Sequence, residues 1–208
     1  MSSTLYTLHS TTLAILAGGK ATRLGGVSKA LIKIDGETII SRIHRALSPL
    51  CNEVIIISNH PETNYGIAAK VYPDIIQNCG PLGGIHSALQ NSTNKMVLIV
   101  SSDMPFVSSE VAQKLMDKLT KNQPKTDIVV PTVGKLREPL FAIYSKKLAK
   151  KIASILADRD GHPTSALLNS CNTEYLDIEP TPKNIKSFTN INTFKDIEAF
   201  GLALSGRK

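Results

Sequence analysis

Three short runs of apolar and β-branched residues divide the first half of the chain, and each is followed by glycine or a small polar residue. Continuous runs of this kind are typical of strands that are buried on both faces of a parallel sheet. The runs cover residues 11–17, 54–57 and 96–100. Further short strands are predicted over residues 128–130, ended by Pro131, and over residues 140–143.

Apolar residues recur at a spacing of three and four between and after these runs, which predicts amphipathic helices. One predicted helix carries Ile39, Ile43 and Leu47 and stops before Pro49, and another is capped by Ser108. Strands that alternate with helices predict an α/β fold with a mostly parallel sheet flanked by helices.

The organisation along the chain favours one domain over residues 1–208, because 208 residues suit a single core and no linker interrupts the series of elements. Residues 1–10 form an N-terminal extension of this domain. The Pro-rich stretch 180–183 is predicted to be a turn. Asn190 and Asn192 alternate along a predicted strand, which would point both amides to one face.

Composition and charge narrow the classes of function. Hydrophobic residues make up 42% of the chain and charged residues 20%, which excludes a disordered chain. No apolar segment near the start is long enough to cross a bilayer, so we expect a cytoplasmic protein without a membrane partner. The net charge of +7 fits a negatively charged ligand, but only 5% of residues are aromatic, which argues against nucleic acid. Three widely spaced cysteines predict neither a disulfide framework nor a zinc site.

The ends of the three runs predict a ligand site. They carry the pairs Gly18-Gly19, Ser58-Asn59 and Ser102-Asp103. Open α/β sheets bind ligands beyond the carboxyl ends of their strands, so these residues are expected to converge. The loop after the first run holds four glycines together with Arg23 and Lys29, a composition suited to a polyphosphate, although a solvated surface loop is the alternative. Asp103 can hold a hard cation or cap the next turn, and spacing alone leaves both roles open.

Four segments together resemble the molybdopterin nucleotidyltransferases, within the wider nucleotidyltransferase family that includes sugar-phosphate enzymes. The first runs from Leu16 through Ala17, Gly18, Gly19 and Arg23 to Lys29. The others are Gly80-Pro81-Leu82-Gly83-Gly84, Ser102-Asp103-Met104-Pro105 and Asn190-Ile191-Asn192-Thr193, in the order of the family. The resemblance is poorest over residues 158–170.

This resemblance implies a Rossmann-like sheet that binds GTP and magnesium, Mg²⁺ being held by Asp103. It assigns Lys29, Arg23 and Asp103 to catalysis. The nucleotide residues that it implies are Leu16, Ala17, Gly18, Gly19, Lys29, Asn59, Asp74, Gly80, Pro81, Leu82 and Asp103. Asn190, Asn192 and Glu138 would lie on the pterin side, although a surface turn before Pro139 is an equally good role for Glu138.

The implied reaction is the transfer of GMP from GTP to the terminal phosphate of molybdopterin, with release of pyrophosphate. Further implied partners are molybdenum-insertion proteins and the molybdoenzymes that receive the product. Two alternatives remain at this stage. One is a CTP-dependent cytidylyltransferase, which the Leu-Ala-Gly-Gly sequence at residues 16–19 disfavours by resemblance. The other is a protein that binds a nucleotide or delivers a cofactor without catalysis.

Overall fold

The computed structural model describes residues 10–18, 28–122, 125–157, 163–193 and 196. Ten strands lie within these ranges: β1 Thr11–Leu16, β2 Lys33–Ile34, β3 Glu37–Thr38, β4 Glu53–Ile57, β5 Lys70–Tyr72, β6 Met96–Ser101, β7 Ile128–Val133, β8 Leu136–Arg137, β9 Phe141–Ser145 and β10 Thr173–Asp177. Six α-helices accompany them: α1 Ile39–Leu47, α2 Gly80–Asn91, α3 Ser109–Asn122, α4 Ala149–Ala157, α5 Thr164–Ser170 and α6 Pro182–Ser187.

The main sheet has the strand order β10-β7-β9-β6-β1-β4-β5, with β8 paired to β7. Strand β1 lies between β4 and β6 and runs parallel to both, so that Leu16 aligns with Ile57 on one side and Ser101 on the other. Strand β9 runs antiparallel to β6 and to β7, whereas β10 is parallel to β7. The predicted α/β class with a mostly parallel sheet is confirmed.

Both faces of the sheet are covered by apolar packing, which explains the uninterrupted apolar runs. Within β1, Leu13 and Ile15 belong to one core cluster and Ala14 and Leu16 to the other, as the period of two requires. The first cluster includes the apolar faces of α1 and α3, and the second those of α2, α4 and α5.

Local capping chemistry fixes where several helices start. The hydroxyl of Thr38 accepts the backbone N–H of Ser41 at 3.3 Å, so α1 begins as its apolar spacing predicts. The hydroxyl of Ser108 accepts the N–H of Val111 at 3.4 Å, which confirms the predicted cap of α3. Pro81 lies in the first turn of α2, where its missing N–H costs no helical hydrogen bond.

The prediction that Pro131 ends a strand is wrong, because β7 continues to Val133. Ile178 donates its N–H to the carbonyl of Thr132, so Thr132 faces β10 and its neighbour Pro131 faces the other way. On that other side the pairing of β7 with β9 stops at Val129. Pro131 therefore lies between the β9 and β8 pairings on that side, where its carbonyl accepts the N–H of Glu138 at 3.2 Å and its lack of an N–H does not end the strand.

Two further predictions for the C-terminal part are corrected. Residues 190–192 form no strand, and the N–H of Ile191 instead donates a hydrogen bond to the carbonyl of the loop residue Asp103. The stretch 180–183 is not only a turn, because Thr181 caps α6, which starts at Pro182. Thr193 accepts the N–H of Asp196 on its hydroxyl at 3.3 Å, which is the hydrogen bond of a helix N-cap.

Candidate functional site

Strand ends meet at one edge of the sheet and bring the predicted site segments together. Ser102 donates its N–H to the carbonyl of Leu16 at 3.0 Å, and Ala17 donates its N–H to the carbonyl of Ile57 at 2.9 Å. These bonds extend the ladder by one residue beyond β1 and β6. Ala17 and Gly18 thus emerge between the segments that carry Asn59 and Asp103, and Gly18 is exposed. An exposed backbone at this edge can approach a ligand.

Lys29 and Asp103 face each other across this edge. The ammonium of Lys29 lies 3.8 Å from Oδ2 of Asp103 and donates a hydrogen bond of 2.6 Å to Oδ1 of Asn192. The Lys29 side chain is 29% exposed and that of Asp103 is 21% exposed, so both groups can be reached from solvent. A cation, a carboxylate and an amide from three distant segments therefore form one cluster.

The contact with Lys29 involves only one of the two carboxylate oxygens of Asp103. Its Oδ1 is buried and finds no hydrogen-bond partner in the described part of the chain. The backbone carbonyl of the same residue accepts the N–H of Ile191 at 2.8 Å, which holds the residue against the C-terminal segment. Burying a carboxylate oxygen without a partner costs free energy, and such an oxygen is a suitable ligand for a hard cation.

Asn59 and Asp74 form a second polar pair on the neighbouring strand ends. Nδ2 of Asn59 donates to Oδ2 of Asp74 at 2.9 Å, and the N–H of Asp74 donates to Oδ1 of Asn59 at 2.9 Å. Partial burial raises the pKa of the Asp74 carboxyl, and the Asn59 hydrogen bond opposes that rise. The pair follows β4 and β5, and Gly84 is close to both Asp74 and Leu16, so the pair belongs to the same edge.

The start of α2 closes this part of the site. Gly80 has a φ of +58°, a left-handed conformation that disfavours side chains, and Pro81 beside it is exposed. A Cβ on Gly84 would lie 3.4 Å from Cδ1 of Leu16. Glycine at this position lets the helix pack directly on the end of β1. Leu82 is buried in the core, so its side chain anchors the start of the helix.

Glu138 directly follows β8, in the turn that leads to β9, and lies near Asp103. Its side chain is buried, with the residue only 7% exposed, and it accepts the N–H of Leu140 at 3.0 Å and the Asn190 amide at 3.5 Å. Burial raises the pKa of the Glu138 carboxyl, and the negative charge of Asp103 adds to the rise. Asn190 and Asn192 therefore both reach the site without the predicted strand, one at Glu138 and one at Lys29.

Two predicted residues cannot be compared with this geometry. Gly19 and Arg23 lie outside the described residues, as do residues 1–9 of the predicted N-terminal extension. Sequence reasoning also missed β5, which delivers Asp74, and Ser87, whose hydroxyl holds the loop after β5. The spacing Gly83, Gly84, Ser87 was the available signal for Ser87, since these positions share one side of a helix.

A cavity of about 540 Å³ lies apart from this cluster, between α1, α6 and the start of α3. Its basic side chains are largely matched by acids, because Arg42 and Arg45 pair with Glu37, and Lys183 pairs with Glu110. The cluster of strand ends is therefore the stronger candidate for an anionic ligand. The helices within the described ranges include none that is both long and apolar enough to cross a membrane.

Comparisons with known proteins find relatives over most of the chain. A family model described as the MobA-like NTP transferase domain matches residues 13–173. A molybdenum cofactor guanylyltransferase from Vibrio vulnificus (strain YJ016) is 31% identical over 192 residues, covering 92% of this chain and 95% of that protein. A probable molybdenum cofactor guanylyltransferase from Clostridium perfringens (strain SM101 / Type A) is 36% identical over 193 residues, covering 89% of this chain and 93% of that protein.

A solved structure shows the same fold. The crystal structure of molybdopterin-guanine dinucleotide biosynthesis protein A from Archaeoglobus fulgidus matches with a TM-score of 0.75 and 24% identity, over 90% of this chain and 95% of that one. At this identity the likeness supports the architecture, and the sequence relatives carry the assignment of the family.

Proposed function

Because the chain belongs to the MobA-like NTP transferase family and is a nucleotidyltransferase, we propose that it transfers GMP from GTP to molybdopterin. The products are molybdopterin guanine dinucleotide and pyrophosphate. The names of its relatives from Vibrio and Clostridium support guanine as the base. The observation that carries the proposal is the meeting of Lys29 and Asp103 beside the exposed backbone of Gly18.

The chemistry requires positioning more than acid–base catalysis. The terminal phosphate of molybdopterin is ionised at neutral pH, and its oxygen attacks the α-phosphorus of GTP. The new P–O bond forms as the bond to the β-phosphate bridging oxygen breaks, and pyrophosphate leaves with that electron pair. Negative charge builds up on the phosphate oxygens, so fixed donors and cations at this edge accelerate the step.

Each side of the cluster receives a role in this proposal. Residues 16–18, together with Gly19, present backbone to the nucleotide, and Lys29 and Arg23 neutralise its phosphates. Asn59 and Asp74 meet the base or ribose, and the backbone of Gly80, Pro81 and Leu82 lies along the purine edge. A carboxylate such as that of Asp74 accepts hydrogen bonds from N–H donors of the kind that guanine presents on its pairing edge.

Asp103 is proposed as the protein ligand of Mg²⁺. The fit rests on its buried Oδ1, which lacks a hydrogen-bond partner among the described residues. The described residues contain no group of three or more metal-binding side chains, and Mg²⁺ commonly uses one or two carboxylates plus substrate phosphates and water. When bound, the ion supplies Lewis acidity and neutralises phosphate charge. With Mg²⁺ bound to Asp103, the ammonium of Lys29 could turn from that carboxylate toward the phosphates.

The acceptor side is proposed to lie at Glu138, Asn190 and Asn192, beyond Asp103 from the nucleotide. Their amide and carboxylate groups offer both donors and acceptors to a pterin ring and its phosphate. Molybdenum-insertion proteins and recipient molybdoenzymes stay predictions as partners, and so do a cytoplasmic location and a single domain over residues 1–208.

A pyrophosphate-release assay with purified protein, Mg²⁺, molybdopterin and either GTP or CTP tests the proposal. We expect release with GTP, dependent on molybdopterin, and little with CTP. Release with CTP alone would identify a cytidylyltransferase. Tight GTP binding without pyrophosphate release would indicate a binding or delivery protein instead. The nucleotide preference and the turnover are thus separated in one set of reactions.

A further inference from the structure

We propose that Ser87, inside α2, is a positioning residue that sets the affinity for the nucleotide by holding the loop that carries Asp74. The inference rests on the proposed function, in which Asp74 contacts GTP. Ser87 is fully buried and does not reach the edge of the sheet itself. It would therefore act only through the loop of residues 73–78.

The hydroxyl of Ser87 joins this loop to the helix. Its Oγ accepts the N–H of Ile75 at 2.8 Å and donates to the carbonyl of Gly83 at 3.0 Å. Ile75 directly follows Asp74, so the bond fixes the backbone on one side of that carboxylate. The Asn59 side chain fixes the other side, through its bond with the N–H of Asp74. Asp74 is thus held between two side chains from different elements.

The glycines of α2 show how closely the loop is fitted to the helix. A Cβ on Gly83 would lie 3.0 Å from the carbonyl oxygen of Ile76 and 3.1 Å from Cβ of Cys79. Real Cβ atoms at the shorter distance displace the neighbour, which here is loop backbone. Two residues of α2 therefore fix the position of the loop. Gly83 lets the loop backbone approach the helix closely, and Ser87 holds it by a hydrogen bond.

Removing the hydroxyl leaves the Ile75 N–H without its partner and lets the loop move. Asp74 is then ordered only when the nucleotide binds, and that ordering reduces affinity. The reacting phosphates lie at Lys29 and Asp103, away from this loop, so the chemical step itself should be unaffected. The expected signature is weaker binding with an unchanged rate at saturation, which a general loss of folding would not produce.

The test compares Ser87→Ala with Ser92→Ala, a matched control next to the other end of α2. Ser92 is also buried, and its hydroxyl bonds Thr12 and Asn94 at the opposite edge of the sheet. We expect Ser87→Ala to raise the Kd for GTP with Mg²⁺ about tenfold, equivalent to ~1.4 kcal/mol, with kcat at saturating GTP within about twofold of the parent. Ser92→Ala should lower the melting temperature comparably and leave the Kd within about twofold.

A second variant guards against misreading a folding defect. Gly83→Ala pushes on the Ile76 carbonyl from the helix side, so it should also weaken GTP binding and spare kcat. If the parent binds GTP and Ser87→Ala binds it equally well, the role of Ser87 is refuted while the proposed function stands. An equal loss of affinity in Ser92→Ala also refutes it. Failure of the parent to bind GTP refutes the proposed function itself.

Discussion

Replacing Asp103 with alanine separates catalysis from folding more cleanly than any other change at this site. The substitution removes the carboxylate that faces Lys29 and is the proposed ligand of Mg²⁺. It keeps the backbone carbonyl, which accepts the N–H of Ile191. The C-terminal segment should therefore remain attached, so any loss of activity reports on the carboxylate alone.

The substitution is not expected to destabilise the fold, because two terms oppose each other. The Lys29 and Asp103 side chains are 29% and 21% exposed, and a solvent-screened pair of this kind contributes only ~0–1 kcal/mol. Alanine also removes the buried Oδ1, which has no hydrogen-bond partner among the residues described, and leaving such an atom buried costs ~1–3 kcal/mol. Because the relief is at least as large as the loss, we expect the free energy of unfolding to be unchanged or to rise by up to ~3 kcal/mol.

The effect on turnover is expected to be far larger. Anchoring of a divalent ion supplies several kcal/mol of transition-state stabilisation. If about 4 kcal/mol is lost, kcat/KM falls roughly 1000-fold, since each ~1.4 kcal/mol corresponds to a factor of ten. Pyrophosphate release measures this fall, thermal denaturation measures stability, and calorimetric titration with Mg²⁺ in the presence of GTP measures the metal.

The control is Asp177→Ala, which removes an exposed aspartate at the end of β10 that accepts a hydrogen bond from Thr132 at 3.2 Å. It should leave kcat/KM unchanged. The reasoning fails if Asp103→Ala transfers GMP at the parent rate with the same requirement for Mg²⁺. It also fails if activity is lost only in proportion to a large drop in melting temperature.

Three other changes test the electrostatics of the molecule. Glu138→Gln should raise the melting temperature at pH 8, because burial raises the pKa of this carboxyl and its charged form opposes folding. The gain should vanish below the ordinary pKa of 4.5, where the carboxyl is protonated in both the folded and the unfolded chain. A constant gain from pH 4 to 8 would contradict this explanation. His86→Met should stabilise the protein more at pH 5 than at pH 8. Both ring nitrogens of His86 are buried without hydrogen-bond partners in the described ranges, and burial lowers the pKa of the imidazole from 6.5. Equal shifts in melting temperature at the two pH values would argue against this explanation. Lys29→Gln should weaken GTP binding roughly 10- to 100-fold, because a hydrogen bond to a charged group contributes ~1.5–3 kcal/mol. Calorimetric titration measures the affinity, and an unchanged affinity would exclude a contact between Lys29 and the phosphates.

The sequence was most informative where burial on both faces leaves no ambiguity. Strands β1, β4 and β6 are central, so most of their residues are buried and apolar. The prediction of their ends located three of the site segments. Strand β5 escaped notice because it is three residues long, half-exposed and at the edge of the sheet. An edge strand needs little apolar sequence, and its pattern resembles a loop.

The site was predicted in part from strand ends and in part only from resemblance. Convergence of Gly18, Asn59 and Asp103 follows from parallel topology, which brings carboxyl ends to one edge. The pairing of Asn59 with Asp74 and of Lys29 with Asn192 does not follow, because such contacts depend on how long loops return. The strand predicted at Asn190 and Asn192 failed for a related reason: alternating polar residues suit a strand, but Ile191 is held by one bond to a loop residue.

The insertion of β9 between β6 and β7 has a consequence for the order in which a ribosome completes the enzyme. Strands β5, β4, β1 and β6 are adjacent in the sheet and are all synthesised by residue 101. Strand β7 emerges next, but its sheet neighbours β8, β9 and β10 are all still to come. During synthesis, the proposed nucleotide side of the site can assemble first, and the proposed acceptor side, with Glu138 and Asn190, is added last.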